Sequence, residues 1–154
     1  MIVLVRPTSS ALWEEAARLV DEYAASLGVA LDFQNFEHER AHLAEEYGPP
    51  DGAFLLAQDA NECIGCGAFR RFSETACEMK RLYVAPRGQG RGVGRQIAEA
   101  LIDEARARGC QQMLLDTLPS RQRAQTLYAA LGFEPTAPYR YNPVAGTAFL
   151  KLDL

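Results

Sequence analysis

A short segment rich in glycine and arginine carries the clearest chemical signal in this chain. Residues 88–95 are Gly-Gln-Gly-Arg-Gly-Val-Gly-Arg, and they lie between an apolar run that ends at Val84 and a helical pattern that starts at Arg95. Glycine lets several backbone N–H groups converge, and the first N–H groups of a helix lack internal acceptors. Such a loop is typical of a phosphate or pyrophosphate site. Arg87, Arg91 and Arg95 add positive charge.

Other glycine-rich nucleotide sites have a different spacing. A P-loop ends in Gly-Lys-Ser/Thr, which this sequence lacks. A dinucleotide site has G-x-G-x-x-G after the first strand of a βαβ unit, whereas Gly90, Gly92 and Gly94 alternate and lie in mid-chain. A glycine turn without any ligand is the remaining alternative.

A second group of residues, His38-Glu39-x-x-His42, matches H-E-x-x-H. On a helix this spacing puts two zinc-binding histidines on one face, with the glutamate as base. A zinc metallopeptidase, with Glu62 as third ligand, is therefore the main competing enzyme class. The surrounding segment is acidic and polar, whereas a catalytic zinc helix is usually buried. We expect a solvated helix face and no metal site.

The four cysteines are Cys63, Cys66, Cys77 and Cys110. Cys63 and Cys66 have the C-x-x-C spacing of a redox motif or of half a metal site. Their segment has the pattern of a strand, in which residues three apart point to opposite faces. Buried, reduced thiols are therefore expected.

Size and charge limit the function classes. With 154 residues, one compact domain over residues 1–154 is expected. A net charge of −4 argues against a nucleic-acid partner. The apolar runs are too short to cross a bilayer, and residues 1–10 do not have the pattern of a secretory signal. These observations predict a soluble, cytoplasmic protein without a membrane partner.

Apolar periodicity predicts the elements that must position the loop. Strands are predicted at 2–6, 53–58, 63–72, 77–84, 112–116, 133–137 and 147–152, and helices at 10–27, 36–47, 95–108 and 121–131, the last capped by Ser120. The resulting order, β-α-α-β-β-β-α-β-α-β-β, indicates an α/β fold with a mixed sheet and helices on both faces.

At the loop the sequence resembles a known family. Gln89-x-x-Gly92-x-Gly94 matches the Q/R-x-x-G-x-G/A signature of the GNAT superfamily of N-acetyltransferases, and residues 82–86 resemble that family's fourth strand and its exit. The element order is similar over the whole chain. A second register starting at Arg87 also fits, but the first places the helical pattern directly after Gly94.

The resemblance implies a single-domain GNAT-type fold whose mixed, mostly antiparallel sheet splays between strands 4 and 5. It also implies transfer of an acetyl group from acetyl-CoA, a co-substrate, to a primary amine by direct attack in a ternary complex. Pantetheine would lie along strand 4, and pyrophosphate would meet the loop N–H groups. Arg121 stands where the family often has asparagine. The residues so assigned to the coenzyme are Leu82, Tyr83, Val84, Gln89, Gly90, Arg91, Gly92, Val93, Gly94, Arg95 and Arg121.

The resemblance also supplies candidate catalytic residues. Residues 124–133 resemble the family segment A-x-x-L-Y-x-x-L-G-F, which makes Tyr128 the candidate acid for the leaving thiolate; the alternative is that Tyr128 only packs. Glu78 on strand 4 is the first candidate base, unless it merely pairs with Lys80 or Arg81. Asp116, at the end of the next strand, is the weaker candidate.

The acceptor is not identified by the sequence. Residues 29–37 and the final strands would build its pocket, with Phe33, Phe36 and Tyr141 as candidate walls, although these aromatics are equally suited to an ordinary core. A non-catalytic acyl-CoA sensor remains an alternative function, and a homodimer is compatible with the resemblance.

Overall fold

A mixed sheet organises the protein. The computed structural model describes residues 1–31 and 35–154. Within them the sheet has seven strands in the order β1-β2-β3-β4-β5-β7-β6. The strands are β1 Ile2–Val5, β2 Gly52–Asp59, β3 Glu62–Arg71, β4 Ala76–Val84, β5 Gln112–Thr117, β6 Glu134–Pro135 and β7 Ala148–Asp153. Only the β4–β5 pair among them is parallel, which confirms the predicted mixed, mostly antiparallel sheet.

The helices flank the sheet and differ from prediction at some ends. They are α1 Ser10–Leu27, α2 Phe36–Ala41, α3 Leu43–Glu46, α4 Val93–Ala107 and α5 Gln122–Ala130. Ser9 caps α1 by accepting the N–H of Leu12 at 3.2 Å. The predicted helix at 36–47 is interrupted at His42, whose φ of −131° is not helical. Ser120 does not cap α5, because Arg121 occupies the cap position.

Each face of the sheet is covered by helices over its own core. Ile97 and Leu101 of α4 pack with Met79 and Met113 on one face. On the other face, Leu19 of α1 packs among strand residues such as Leu56 and Tyr83. The predicted arrangement of helices on both faces is therefore confirmed. The packing of α4 on the sheet holds the start of α4 beside the end of β4.

The sheet opens between β4 and β5. The two strands pair only where Ala76–Glu78 meets Gln112–Leu114, and beyond that point they separate. The register between β3 and β4 shifts between Cys66 and Ala68, and Arg81 has a left-handed φ of 61°. A bulge of this kind bends a strand and increases its twist. The splay predicted between strands 4 and 5 is present.

The prediction that Cys63 and Cys66 point to opposite faces of the sheet is wrong, because a second bulge lies beside them. The β2–β3 register shifts between Ala57 and Gln58, so that Cys63 and Cys66 both pack on the α1 side while Ile64 packs on the α4 side. The thiols are buried and unbridged, as expected, but they lie on one face. Burial raises the pKa of the Cys66 thiol to about 12.

Among the described residues, no helix has both the length and the apolar character needed to cross a membrane.

Candidate active site

Two cavities meet in the gap between β4 and β5. The larger is a groove of about 700 Å³ between the glycine-rich loop, the free edge of β4 and the start of α5. Its lining includes Leu82, Tyr83, Val84, Gln89, Gly90, Gly92, Val93, Gly94, Arg95, Arg121 and Arg123. The structure therefore brings ten of the eleven predicted coenzyme residues to one groove, and Arg91 is the exception.

The start of α4 presents unused backbone donors to this groove. The helix begins two residues earlier than predicted, and the N–H of Gln96 donates to the Gly92 carbonyl at 3.1 Å. The N–H groups of residues 93–95 precede that bond, and no side chain caps the helix. Gly90 and Gly92 have φ of 78° and 74°, a region that glycine adopts without strain. Because free N–H groups at a helix start carry positive partial charge, this site suits an anion.

The groove is basic and contains no carboxylate among the described residues that line it. Arg95, Arg121 and Arg123 contribute its three cations. Arg95 is paired with Glu99 at 2.5 Å, whereas Arg123 donates to the side-chain oxygen of Gln89 at 3.0 Å. Sequence reasoning missed Arg123, because the resemblance pointed to Arg121 at the start of this helix and no motif extends to the residue two positions later.

Two arginines that seemed to belong to the anion site are engaged elsewhere. Arg87 pairs with Glu62 and donates to the carbonyl of Cys63 at 2.9 Å. Arg91 pairs with Asp59 at 2.9 Å. Glu62 and Asp59 flank the β2–β3 hairpin turn. These ion pairs hold the two arginine side chains at the turn and not at the groove.

Arg121 lies in the gap and lines both cavities. Its guanidinium donates to the carbonyl of Leu82 at 3.1 Å and lies 5.3 Å from the centre of the Tyr23 ring. It thereby occupies a backbone acceptor on the part of β4 that β5 no longer covers.

The smaller cavity, here called the chamber, has a volume of about 30 Å³, room for about one water molecule. Its lining comprises Tyr23, Leu27, Leu31, Met79, Lys80, Arg81, Leu82, Asp116, Thr117, Leu118, Arg121, Tyr128 and Asn142. Leu27, Leu82 and Arg121 also line the groove, so the two cavities are contiguous.

Tyr128 reaches the chamber from α5. It is 6% exposed, and its ring packs edge-on against Phe133 at 5.6 Å. Burial raises the pKa of its hydroxyl, which therefore holds its proton at neutral pH. The position suits a proton donor, and it equally satisfies the packing alternative.

The two candidate bases differ in their access to the chamber. Glu78 is 1% exposed and accepts hydrogen bonds from the Tyr139 hydroxyl at 2.8 Å and from Arg140 at 2.9 Å. It does not pair with its neighbours on β4 and is not among the residues that line the chamber. Asp116 does line it and accepts a hydrogen bond from Asn142 at 3.2 Å.

A buried ion pair beside the chamber had no counterpart in our expectations. Glu39 accepts two hydrogen bonds from Arg81, at 2.6 and 2.8 Å, and its side chain is 2% exposed. Burial alone would raise the pKa of Glu39, but the contact with Arg81 outweighs it and lowers that pKa. Phe36 and Tyr23 flank the guanidinium at 5.3 and 5.8 Å. The pair joins α2 to the bulge of β4.

Comparison with known proteins identifies the family. The sequence model of the Acetyltransferase (GNAT) family matches residues 13–133. The chain belongs to the GNAT family. It is an N-acetyltransferase, which is an acyltransferase that uses an acyl-CoA donor.

Similar proteins extend this result. An uncharacterized N-acetyltransferase of Schizosaccharomyces pombe is 38% identical over 138 residues, covering 88% of this chain and 85% of that protein. The crystal structure of a GNAT acetyltransferase from Staphylococcus aureus Mu50 matches with a TM-score of 0.82 at 16% identity, over 99% of each chain. PaiA N-acetyltransferase of Thermoplasma acidophilum, solved in complex with coenzyme A, matches with a TM-score of 0.79 at 13% identity, over 100% of this chain and 99% of that one. The two structures share the fold.

The zincin-like motif lacks the continuous helix on which the spacing argument for a zinc site depends. His42 lies past the end of α2, its Nδ1 is 2.8 Å from the carbonyl of His38, and the two rings stack at 4.2 Å. Glu39 is buried against Arg81, which corrects the expected solvated face. Glu62 faces Arg87 instead of the histidines. In residues 1–31 and 35–154, no three His, Cys, Asp or Glu side chains gather as a metal-binding group.

Leu31 is the described residue of the predicted acceptor segment that lines the chamber. Phe36 packs on Arg81, and Tyr141 is 73% exposed. Phe33, the remaining aromatic candidate, lies outside the described residues.

Proposed function

We propose that residues 1–154 form a single GNAT domain that transfers the acetyl group of acetyl-CoA to a primary amine by direct attack in a ternary complex. One observation carries the proposal: free N–H groups at the start of α4 line a basic groove that contains no described carboxylate and runs to the parted strands. A thioester bound there has its reacting end at the chamber.

The proposed pyrophosphate site consists of the backbone at 90–95 with nearby arginines. Glycine and helix N–H groups supply the hydrogen bonds, and Arg123 lies close enough to Gln89 to add charge. A coenzyme complex of the same fold in Thermoplasma acidophilum supports this choice of ligand.

The pantetheine arm is proposed to lie along residues 82–84. Beyond Glu78, β4 has no pairing with β5, so the backbone of residues 82–84 faces the groove as a sheet edge. Two of its carbonyls accept side-chain hydrogen bonds, that of Leu82 from Arg121 and that of Val84 from Gln89. We expect pantetheine to displace Arg121 from the Leu82 carbonyl. Displacement would also enlarge the chamber, because the same side chain lines it.

The proposed reaction is an acyl transfer without a covalent enzyme intermediate. The lone pair of the neutral amine attacks the thioester carbonyl carbon, a C–N bond forms, and the C–S bond then breaks. Tyr128 donates a proton to the leaving sulfur, which its protonated state at neutral pH permits. The ammonium proton of the acceptor passes to a base.

Two carboxylates compete for the role of base. Glu78 acts only through a relay, such as water, because Tyr139 and Arg140 hold it away from the chamber lining. Asp116 lines the chamber and needs no relay. If Glu78→Gln leaves the pH profile of kcat/KM unchanged while Asp116→Asn removes its acidic limb, Asp116 is the base.

The test combines coenzyme binding with turnover. Acetyl-CoA binding is measured by calorimetry, and free thiol is followed with a panel of primary amines, with product masses recorded. We expect binding and amine-dependent thiol release with a mass gain of one acetyl group. Binding without release to any amine favours the sensor alternative, and absence of binding contradicts the groove assignment.

A cytoplasmic location and assembly as a homodimer stay predictions. The unbridged cysteines are compatible with a reducing compartment.

A further inference from the structure

Lys80 is an unusual residue in the chamber. The chain has only two lysines, Lys80 and Lys151. Lys80 belongs to β4, its side chain is 3% exposed, and it lines the chamber. Its ammonium nitrogen has no hydrogen-bond partner in the part of the chain that the structure describes. A buried charge without a partner is costly, so this arrangement points to a missing ligand.

The carboxylates near Lys80 are already engaged. Glu39 lies 4.0 Å from the Lys80 nitrogen but gives both oxygens to Arg81. Glu78, two residues earlier on β4, is held by Tyr139 and Arg140. Neither carboxylate accepts a hydrogen bond from the Lys80 ammonium group.

The charges of the chamber leave a positive surplus. Lys80, Arg81 and Arg121 line it, with Asp116 as the carboxylate among the described lining residues. Arg81 is neutralised by Glu39, which leaves two cations and one carboxylate among the described residues that line the chamber. A ligand with one anionic group balances these charges, and an amine on the same ligand finds its complement at Asp116.

We propose that Lys80 binds a carboxylate of the acceptor, so that the enzyme acetylates amines that carry a carboxylate, such as amino acids. This inference rests on the proposed function and names its substrate class. With the carboxylate at Lys80, the amine is directed towards Asp116 and the thioester end of the groove.

The lowered pKa of Lys80 agrees with a binding site for an anion. Burial, followed by the nearby Arg81, lowers the pKa of Lys80 to about 7. A bound carboxylate raises that pKa, because it favours the charged form. The charged groups around the lysine are Glu39, Arg70, Glu78 and Arg81, together with Asp116 and Arg121 across the chamber.

The test compares matched acceptors that differ only at the carboxylate. Amino acids, their carboxamides and their decarboxylated amines are assayed by thiol release. We expect kcat/KM to favour the carboxylate over its amide by about tenfold to a hundredfold, the range of a charge-assisted hydrogen bond. In Lys80→Met this ratio should fall to about one, whereas Lys151→Met, on β7 and outside the chamber lining, should keep the wild-type ratio.

The outcomes separate the two proposals. Thiol release without preference for the carboxylate in wild type, or a preference that survives in Lys80→Met, overturns the role of Lys80 and leaves the acetyltransferase proposal standing. Failure of wild type to transfer to any amine overturns both.

A second measurement needs no variant. Protein labelled at the lysine ε-carbon with 13C gives two side-chain signals, from Lys80 and Lys151. In the presence of coenzyme A, an N-acetylated amino acid should move the titration midpoint of Lys80 to higher pH, and the matched amide should not. Equal effects of both ligands, or no effect of either, contradict the proposal.

Discussion

The groove and the chamber adjoin at Leu82 and Arg121, but the groove presents backbone donors and the chamber presents side chains. The groove offers backbone N–H groups at the start of α4, framed by Gly90, Gly92 and Gly94, and three arginine side chains line it. The chamber offers buried side chains. Lys80 lies there without a hydrogen bond from its ammonium nitrogen to any described residue, beside a bidentate pair that joins α2 to β4.

This difference matches the two tasks that the proposed reaction sets. A coenzyme has a constant shape, and main-chain donors recognise a diphosphate through a local fold. An acceptor varies between enzymes, and side chains on several elements can change without disturbing the loop. If the comparison holds, changes to the chamber affect stability and chemistry, and changes to the loop affect coenzyme affinity alone.

The largest expected effect is on the buried pair beside the chamber. Glu39→Gln removes the carboxylate that compensates Arg81 and leaves a buried positive charge, which typically costs about 3–5 kcal/mol of unfolding free energy. Denaturant unfolding measures the change. Asp21→Asn, which breaks the exposed pair with Arg40, should cost less than about 1 kcal/mol; similar losses in the two variants would contradict the buried role.

Removing one hydroxyl tests whether the chamber carries the chemistry. Tyr128→Phe keeps the ring against Phe133 but removes the proposed proton donor, so turnover should fall about a hundredfold, at the lower end of general acid catalysis. Steady-state kinetics give kcat, and calorimetry should show coenzyme affinity within about twofold of wild type. Unchanged turnover would mean that Tyr128 only packs.

The pH dependence of stability tests the charge state of Lys80. Its pKa is about 7 in the folded chain and 10.5 as the ordinary value. Between these pH values the unfolded chain binds the proton and the folded chain does not, so stability rises with pH. Relative to Lys80→Met, wild type should gain about 2 kcal/mol of unfolding free energy between pH 7 and 9. Lys151→Met should follow wild type, and a flat difference would contradict the lowered pKa.

The smallest expected effect isolates the backbone site. At Gly94 an added Cβ would lie 3.5 Å from Val84 and 3.6 Å from Leu127, ordinary contact distances between groove walls. Gly94→Ala should therefore fold normally. It should bind acetyl-CoA about tenfold more weakly, a loss of about 1.4 kcal/mol, because the added methyl group narrows the groove between Val84 and Leu127. Calorimetry measures the affinity.

A remote glycine provides the control for that variant. Gly109 ends α4 with a φ of 84°, so Gly109→Ala strains the backbone without approaching the groove. It should cost about 1 kcal/mol of stability and leave coenzyme affinity unchanged. Normal coenzyme affinity in Gly94→Ala would remove the loop from the binding site.

The sequence by itself determined the parts that depend on neighbouring residues. The run from Gln89 to Gly94 predicted the loop and the helix after it and carried the resemblance to the family, and apolar periodicity predicted the order of strands and helices along the chain. Both signals are local, since backbone conformation and amphipathic pattern are set within a few positions along the chain.

Only the tertiary structure decided which side chains meet. Glu39 and Arg81 are 42 positions apart, and Arg91 is 32 positions from Asp59, so no short pattern links them. The bulge at Arg81 interrupts the alternation of side chains along β4, and Lys80 lies beside it with its side chain buried in the chamber. Contacts of this kind depend on packing between residues that are far apart in the chain. The burial of an unpaired charge depends on the same packing, so neighbouring residues in the sequence predict neither.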